Sequence, residues 1–201
     1  MNLPLLRTLG ATFGLVVFAA TNVSATVVAE STVVTGLGGP VFVSQSFTVL
    51  GSGSFTNIVA NFFSDEAAST PLAAGTGFLL STAYTGSAGA LSSSTPGYLG
   101  QAVGSGGLYS FGSSVTLVAG TQYFLLSNAA MTLSGSTAES YAGGILSLSS
   151  SSSNNFTIAP GQDAAFRISG TAASSTPDGG STLALLGLAL GAVAVVRRKR
   201  S

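Results

Sequence analysis

The chain closes on a three-part tail that withdraws its last 26 residues from any folded core. Thr176-Pro177-Asp178-Gly179-Gly180-Ser181-Thr182 comes first, then an apolar run from Leu183 to Val196, then Arg197-Arg198-Lys199-Arg200-Ser201. The run has 14 residues, or 16 if Ser181 and Thr182 join a helix. At ~1.5 Å per residue the longer helix reaches roughly 24 Å, short of a hydrocarbon core of roughly 30 Å. Local thinning of the bilayer and snorkelling of the flanking Arg and Lys side chains close that gap. Cations stay on the cytoplasmic side, so the pattern predicts a single transmembrane helix over 183–196, with Arg197, Arg198, Lys199 and Arg200 as stop-transfer residues and the body outside. Ser181 suits a helix N-cap, and Pro177 with Gly179 and Gly180 breaks structure just before it.

The other end is also an address. Arg7 gives a positive n-region, and Leu9 to Ala20 form an apolar stretch interrupted by Gly10 and Gly14. Val23-Ser24-Ala25 is a small-residue cleavage site, so residues 1–25 read as a secretory signal peptide cut between Ala25 and Thr26. Signal peptidase is the processing partner this implies. What folds lies between, in residues 26–168, with 169–175 as a polar linker before the sorting segment 176–201.

That body is long enough for one domain with a core. Arg167 is its one base, against Glu30, Asp65, Glu66, Glu139 and Asp163, a net charge of −4 that the formal zero of the whole chain conceals. One cation makes no electrostatic footprint for nucleic acid or for an anionic membrane. The chain has no Cys and no His. A Ser-His-Asp triad, a Cys nucleophile and a His-rich zinc site are therefore excluded, and the core must hold without disulfides.

Hydrophobic periodicity across the body has period two. Val41, Val43, Phe47 and Val49 alternate with Ser44, Ser46 and Thr48, which predicts a strand buried on one face. Further strands are expected at 26–34, 55–63, 76–84, 145–148, 156–158 and 164–168. Val115 to Val118 and Tyr123 to Leu126 flank Ala119-Gly120 and predict a hairpin. Gly51-Ser52-Gly53 reads as a turn and Ser149 to Asn155 as a low-complexity solvated loop. Eight to ten short strands set apart by Gly, Ser and Pro give an all-β fold, an antiparallel sandwich of jelly-roll type.

Chemistry in such a body would fall to carboxylates. Asp65-Glu66 is the one adjacent acidic pair, and in a strand its members would point to opposite faces. Paired-acid glycoside hydrolysis needs two carboxyls facing across a sugar, and the sequence does not bring Glu139 or Asp163 to the pair. Charged residues are mostly exposed, so these four are expected as solvated turn acids. Calcium needs six to eight oxygens, and no Asp-x-Asp-x-Asp spacing occurs. The expectation is a non-catalytic protein without metal or cofactor. A secreted carbohydrate-binding module is the alternative. It would need an aromatic platform, and in the absence of Trp the candidates are Tyr84, Tyr98, Tyr109 and Tyr141.

Two resemblances add to this. The tail from Thr176 resembles the PEP-CTERM sorting signal, in the variant whose core reads Val-Pro-Asp-Ser/Gly-Gly. Asp178 stands where the name-giving motif has Glu, Gly179 where it has the second Pro, and Thr176 where Val is common. The resemblance implies an exosortase, a membrane-embedded enzyme that cuts near Thr176, Pro177, Asp178, Gly179, Gly180 and Ser181 and removes the helix. Transit through the membrane, then the cell surface or extracellular matrix, is the implied destination, with exopolysaccharide a candidate partner. In the body, Gln45-Ser46-Phe47-Thr48, Thr70-Pro71-Leu72-Ala73, Val115 to Phe124 and Phe166-Arg167-Ile168-Ser169-Gly170 resemble the β-rich choice-of-anchor ectodomains. These are often attached to such tails and imply no catalytic activity.

Overall fold

The computed structural model describes residues 24–173. The expected signal peptide up to Val23, the linker residues 174 and 175 and the whole sorting segment 176–201 lie outside them. No helix among the described residues is long and apolar enough to cross a membrane. The strands are β1 (Ala25–Ser31), β2 (Gly36–Thr48), β3 (Ser54–Phe63), β4 (Pro71–Leu72), β5 (Thr76–Leu80), β6 (Tyr98–Val103), β7 (Tyr109–Gly112), β8 (Leu117–Val118), β9 (Gln122–Ser127), β10 (Met131–Ser136), β11 (Leu146–Ser149), β12 (Thr157–Ile158), β13 (Asp163–Ala164) and β14 (Phe166–Ala172). A single 3-10 turn occupies Ala88–Ala90.

These strands build the predicted antiparallel sandwich. The first sheet has the order β1-β14-β3-β4, with β7 and β8 also on β3. The second runs β12-β11-β2-β9-β5-β6, and β10 continues the ladder along β2 and carries β13. Val43, Phe47, Leu79 and Leu125 of the second sheet face Ile58, Phe62, Phe166 and Ile168 of the first in one cluster. Burying each of these side chains contributes about 1.5–3 kcal/mol relative to exposure. Phe166 lies at the centre, with its ring 6.3 Å from Phe47 and 5.2 Å from Tyr141, perpendicular to the latter.

The first and last described strands are neighbours. β1 pairs with β14 so that Ala25 opposes Thr171 and Ser31 opposes Phe166. The described segment therefore begins and ends at one end of the sandwich, called the near end. β2 starts at the far end and finishes near, where Gly51 (φ +93°) and Gly53 (φ +80°) make the predicted turn into β3. Left-handed backbone of this kind suits glycine because no Cβ collides with the preceding carbonyl.

Three expectations need correction. Ser44 and Ser46 were expected at a solvent face, yet both are buried. The outer face of the second sheet is covered: Phe78, Leu80 and Leu126 pack under Ala88, Leu91 and Phe156, and Phe42 joins their edge. The low-complexity stretch helps hold this cover, since the Gly89 N–H donates to the Ser152 carbonyl at 2.8 Å.

Second, Val115 to Leu126 is not a hairpin. Leu117–Val118 pairs with β3 in the first sheet, while Gln122–Ser127 pairs with β2 and β5 in the second. The Gly120 turn passes between sheets, drawn to the end of β2 by hydrogen bonds from the Gly120 N–H to Val49 and from the Val49 N–H to Thr121. Third, Ser169 to Ala172, expected as linker, are the end of β14, paired with β1 and β3. Their small side chains look like linker, but central position in a sheet satisfies their backbone groups.

Candidate functional site

Of the residues expected to carry processing, Ala25 and Thr26 are described. They open β1, at the edge of the first sheet, opposite Thr171 and Gly170. A cut between them removes one residue from the strand. The sheet places this bond beside the strand that leads into the sorting segment, since Ala173 donates its N–H to Ser54 at the same near end. Thr176, Pro177, Asp178, Gly179, Gly180, Ser181 and the basic residues Arg197, Arg198, Lys199 and Arg200 lie outside the described residues.

The carboxylates are dispersed by the fold. Asp65 closes the loop after β3: it accepts from the N–H groups of Ser69 (2.8 Å) and Thr70 (2.9 Å) and from the Ser69 hydroxyl (2.5 Å). Those donors, the Ser69 hydroxyl foremost, lower its pKa to about 2. A carboxylate so engaged is a poor proton donor or base near neutral pH. Glu66 beside it is exposed. Glu30 pairs with Arg167 at 3.0 Å on the outer face of the first sheet, and the guanidinium also lies 5.6 Å from the Phe63 ring centre.

Asp163 departs from expectation. It is buried, not a solvated turn acid. One oxygen accepts from the backbone N–H groups of Ser140 and Tyr141, both at 2.8 Å, and the other lies 3.4 Å from Gln45 Nε2. Gln45, also buried, accepts from the Ala164 N–H at 2.9 Å and donates to the Ser46 carbonyl at 3.0 Å. This pair ties the connection 137–145 and β13 to the middle of β2. The sequence offered Asp163 only as a solvated acid, and the signal for its partner is a Gln within an alternating apolar strand. Among the described residues, no group of three or more Asp, Glu, His or Cys could hold a metal ion.

The tyrosines are engaged internally. Tyr109 is buried, its hydroxyl donating to the Ala74 carbonyl (2.6 Å) and accepting from the Ala74 N–H (2.9 Å), and burial pushes its phenol pKa up. Its ring lies on Gly77, where a Cβ would stand 2.7 Å from ring carbons, so that glycine is required by close approach. Tyr141 bonds both backbone groups of Thr48, and Tyr84 donates to the Ser87 carbonyl with its ring edge-on to Phe156. Tyr98 packs at the edge of the outer cover. A recess of about 310 Å³ opens at the far end, bordered by Gly36, Gly39, Leu133 and Leu146, and a wider one is lined by Ser149, Ser150, Asn154 and Thr157. No aromatic ring lines either.

No curated protein and no solved structure matches the chain. The family comparison matches residues 177–200 to the VPDSG-CTERM motif. The match starts at Pro177 and takes in the apolar run and the basic residues, the three-part order read from the tail. Together with the β-rich body, this identifies the chain as one that carries a PEP-CTERM-like C-terminal sorting signal.

Proposed function

We propose that this is an exported, non-catalytic surface or extracellular-matrix protein whose tail is read and cut by an exosortase-type membrane enzyme. The observation that carries the reading is the sorting motif over residues 177–200. In the proposed mechanism, the signal peptide is removed after Ala25 and the helix 183–196 halts transfer. Arg197 to Arg200 remain on the cytoplasmic side, and this leaves Pro177 to Gly180 just outside the bilayer, within reach of an enzyme embedded there. Pro177 keeps Thr176 extended, the form in which proteases generally bind substrate. Gly179 and Gly180 give close access to the backbone, and Asp178 offers one negative charge for selection.

Replacing Pro177 and Asp178 with Ala should leave full-length protein in the inner membrane, while wild type loses its C-terminus and reaches the surface or medium. Intact mass of surface-recovered wild-type protein decides the matter. A mass that still includes Arg197 to Ser201 would make the tail a permanent anchor and overturn the reading.

A further inference from the structure

The near end of the sandwich differs from the rest in charge. Ala25 to Val28, Phe47 to Asn57, Leu117 to Tyr123 and Ser169 to Ala173 meet there through the β1–β14, β14–β3 and β3–β8 pairings and the turn at Gly120, and none of these residues is ionisable at neutral pH. The charged groups of the described residues lie elsewhere. Asp65 and Glu66 follow the far end of β3. Asp163 comes closer, accepting from the N–H of Tyr141, whose hydroxyl bonds Thr48, and its carboxylate is buried against Gln45. The nearest, Glu30 and Arg167, neutralise one another at 3.0 Å. Leu50 is bonded to Val28, two residues along β1 from Glu30, so this pair is close to the near end but carries no net charge.

The same end presents apolar side chains to solvent: Leu50 is 59% exposed, Val118 47% and Val27 42%. Leu50 is held in place by its N–H donating to the Val28 carbonyl at 2.7 Å, so it tips the turn between the two sheets. This is also the end that leads to both addresses. From Ala173 to Leu183 the chain has ten residues, a reach of at most about 35 Å.

We infer that the near end is a bilayer-facing surface, with Leu50 and Val118 resting on the lipid headgroup region while the sorting helix holds the chain in the membrane. This rests on the anchoring reading of residues 183–196. An ectodomain with one base and five acids is repelled by anionic lipid unless its acids are kept away. None of them belongs to the segments that form the near end, and the tether is attached there. Exposed Leu and Val without nearby charge suit the interfacial zone, where apolar side chains enter the headgroup boundary. The consequence for processing is that β14, the strand that leads into the sorting segment, ends at a surface seated on the membrane.

The test uses the full chain in vesicles of phosphatidylethanolamine and phosphatidylglycerol. The absence of native Cys permits single labels through Leu50→Cys and Val118→Cys, with Val103→Cys and Ile158→Cys as controls that are 74% and 63% exposed in the wild type and lie away from the near end. An environment-sensitive fluorophore at each position is challenged with lipid carrying a headgroup-level nitroxide. Labels at 50 and 118 should lose fluorescence and those at 103 and 158 should keep it. Alkaline carbonate extraction is run beside this. A chain that washes off the vesicles defeats the anchoring reading and this inference with it. A chain that stays bound yet shows no quenching at 50 and 118, or equal quenching at all four positions, defeats this inference alone.

Discussion

The two outer faces of the sandwich obey different rules. On the first sheet the outer face meets solvent at Glu30 and Arg167, across a strand pair, with Ser169 and Val59 half-buried beside them. It is closed only at its far end, by the small cluster of Phe63, Ala68 and Ala165. On the second sheet the outer face is roofed by Ala88, Leu91 and Phe156 and forms a second, smaller core. A half-buried sheet needs period-two alternation, whereas one covered on both faces needs apolar residues at successive positions. β14 shows the first pattern, Phe166 and Ile168 buried around Arg167. β5 and β9 show the second, in Phe78-Leu79-Leu80 and Phe124-Leu125-Leu126. A chain with few charges still distinguishes its two sheets by this means.

The comparison is tested most severely where both sheets meet. Phe166→Ala removes a ring in contact with Phe47 and Tyr141 from the shared core. The expected loss is about 3–5 kcal/mol, read as a shift in the denaturation midpoint without change of slope. A loss under about 1 kcal/mol would mean that the two sheets do not depend on a common core.

Phe156→Ala addresses the roof. The expected cost is about 2–3 kcal/mol, below that of Phe166 because the satellite cluster has fewer partners to leave unfilled. Hydrogen exchange should accelerate at Gly89 and in β5 while the amides of β14 keep their protection. If β14 exchanges faster to the same extent, the roof is part of the main core and the distinction between faces fails.

Tyr109→Phe probes a polar contact inside the shared core. It strips the Ala74 N–H and carbonyl of their side-chain partner, and Ser127 Oγ, 3.2 Å from the phenol, remains to serve the carbonyl. The expected cost is about 1–2 kcal/mol, as for a buried donor left unpaired. A crystal structure of the variant with a water in the vacated position would account for a smaller value.

How far the sequence foretold these features depends on what each pattern encodes. Alternation at Val41 to Val49 located a strand correctly and predicted its solvent face wrongly, because Ser44 and Ser46 are small enough to lie under a roof built from residues over 40 positions away. The roof is a tertiary fact, but its trace was present in the doubly apolar β5 and β9. Tyr109-Ser110-Phe111 and Met131-Thr132-Leu133 form strands whose alternation is real but brief. The tail needed no tertiary information, since length, hydropathy and a charge cluster are local properties, and residues 177–200 match the motif. The buried Gln45–Asp163 contact was illegible, because its members are 118 positions apart.

The smallest expected effect lies on the exposed face. Glu30→Gln breaks the ion pair with Arg167, whose side chains are 44% and 43% exposed in the order Arg167, Glu30. Water and salt screen such a pair, so the loss should fall within about 0–1 kcal/mol and vanish in ~1 M salt. Arg167 keeps its position over Phe63, 5.6 Å from the ring centre, and that contact does not need Glu30. The register of β1 on β14 is set by backbone pairing from Ala25 to Ser31, so the variant should keep the near end closed and exchange its β1 amides at the wild-type rate. Faster exchange across β1 with unchanged protection in β3 would show that the pair, not the ladder, holds the first strand. The exposed face would then be energetically as important as the roofed one.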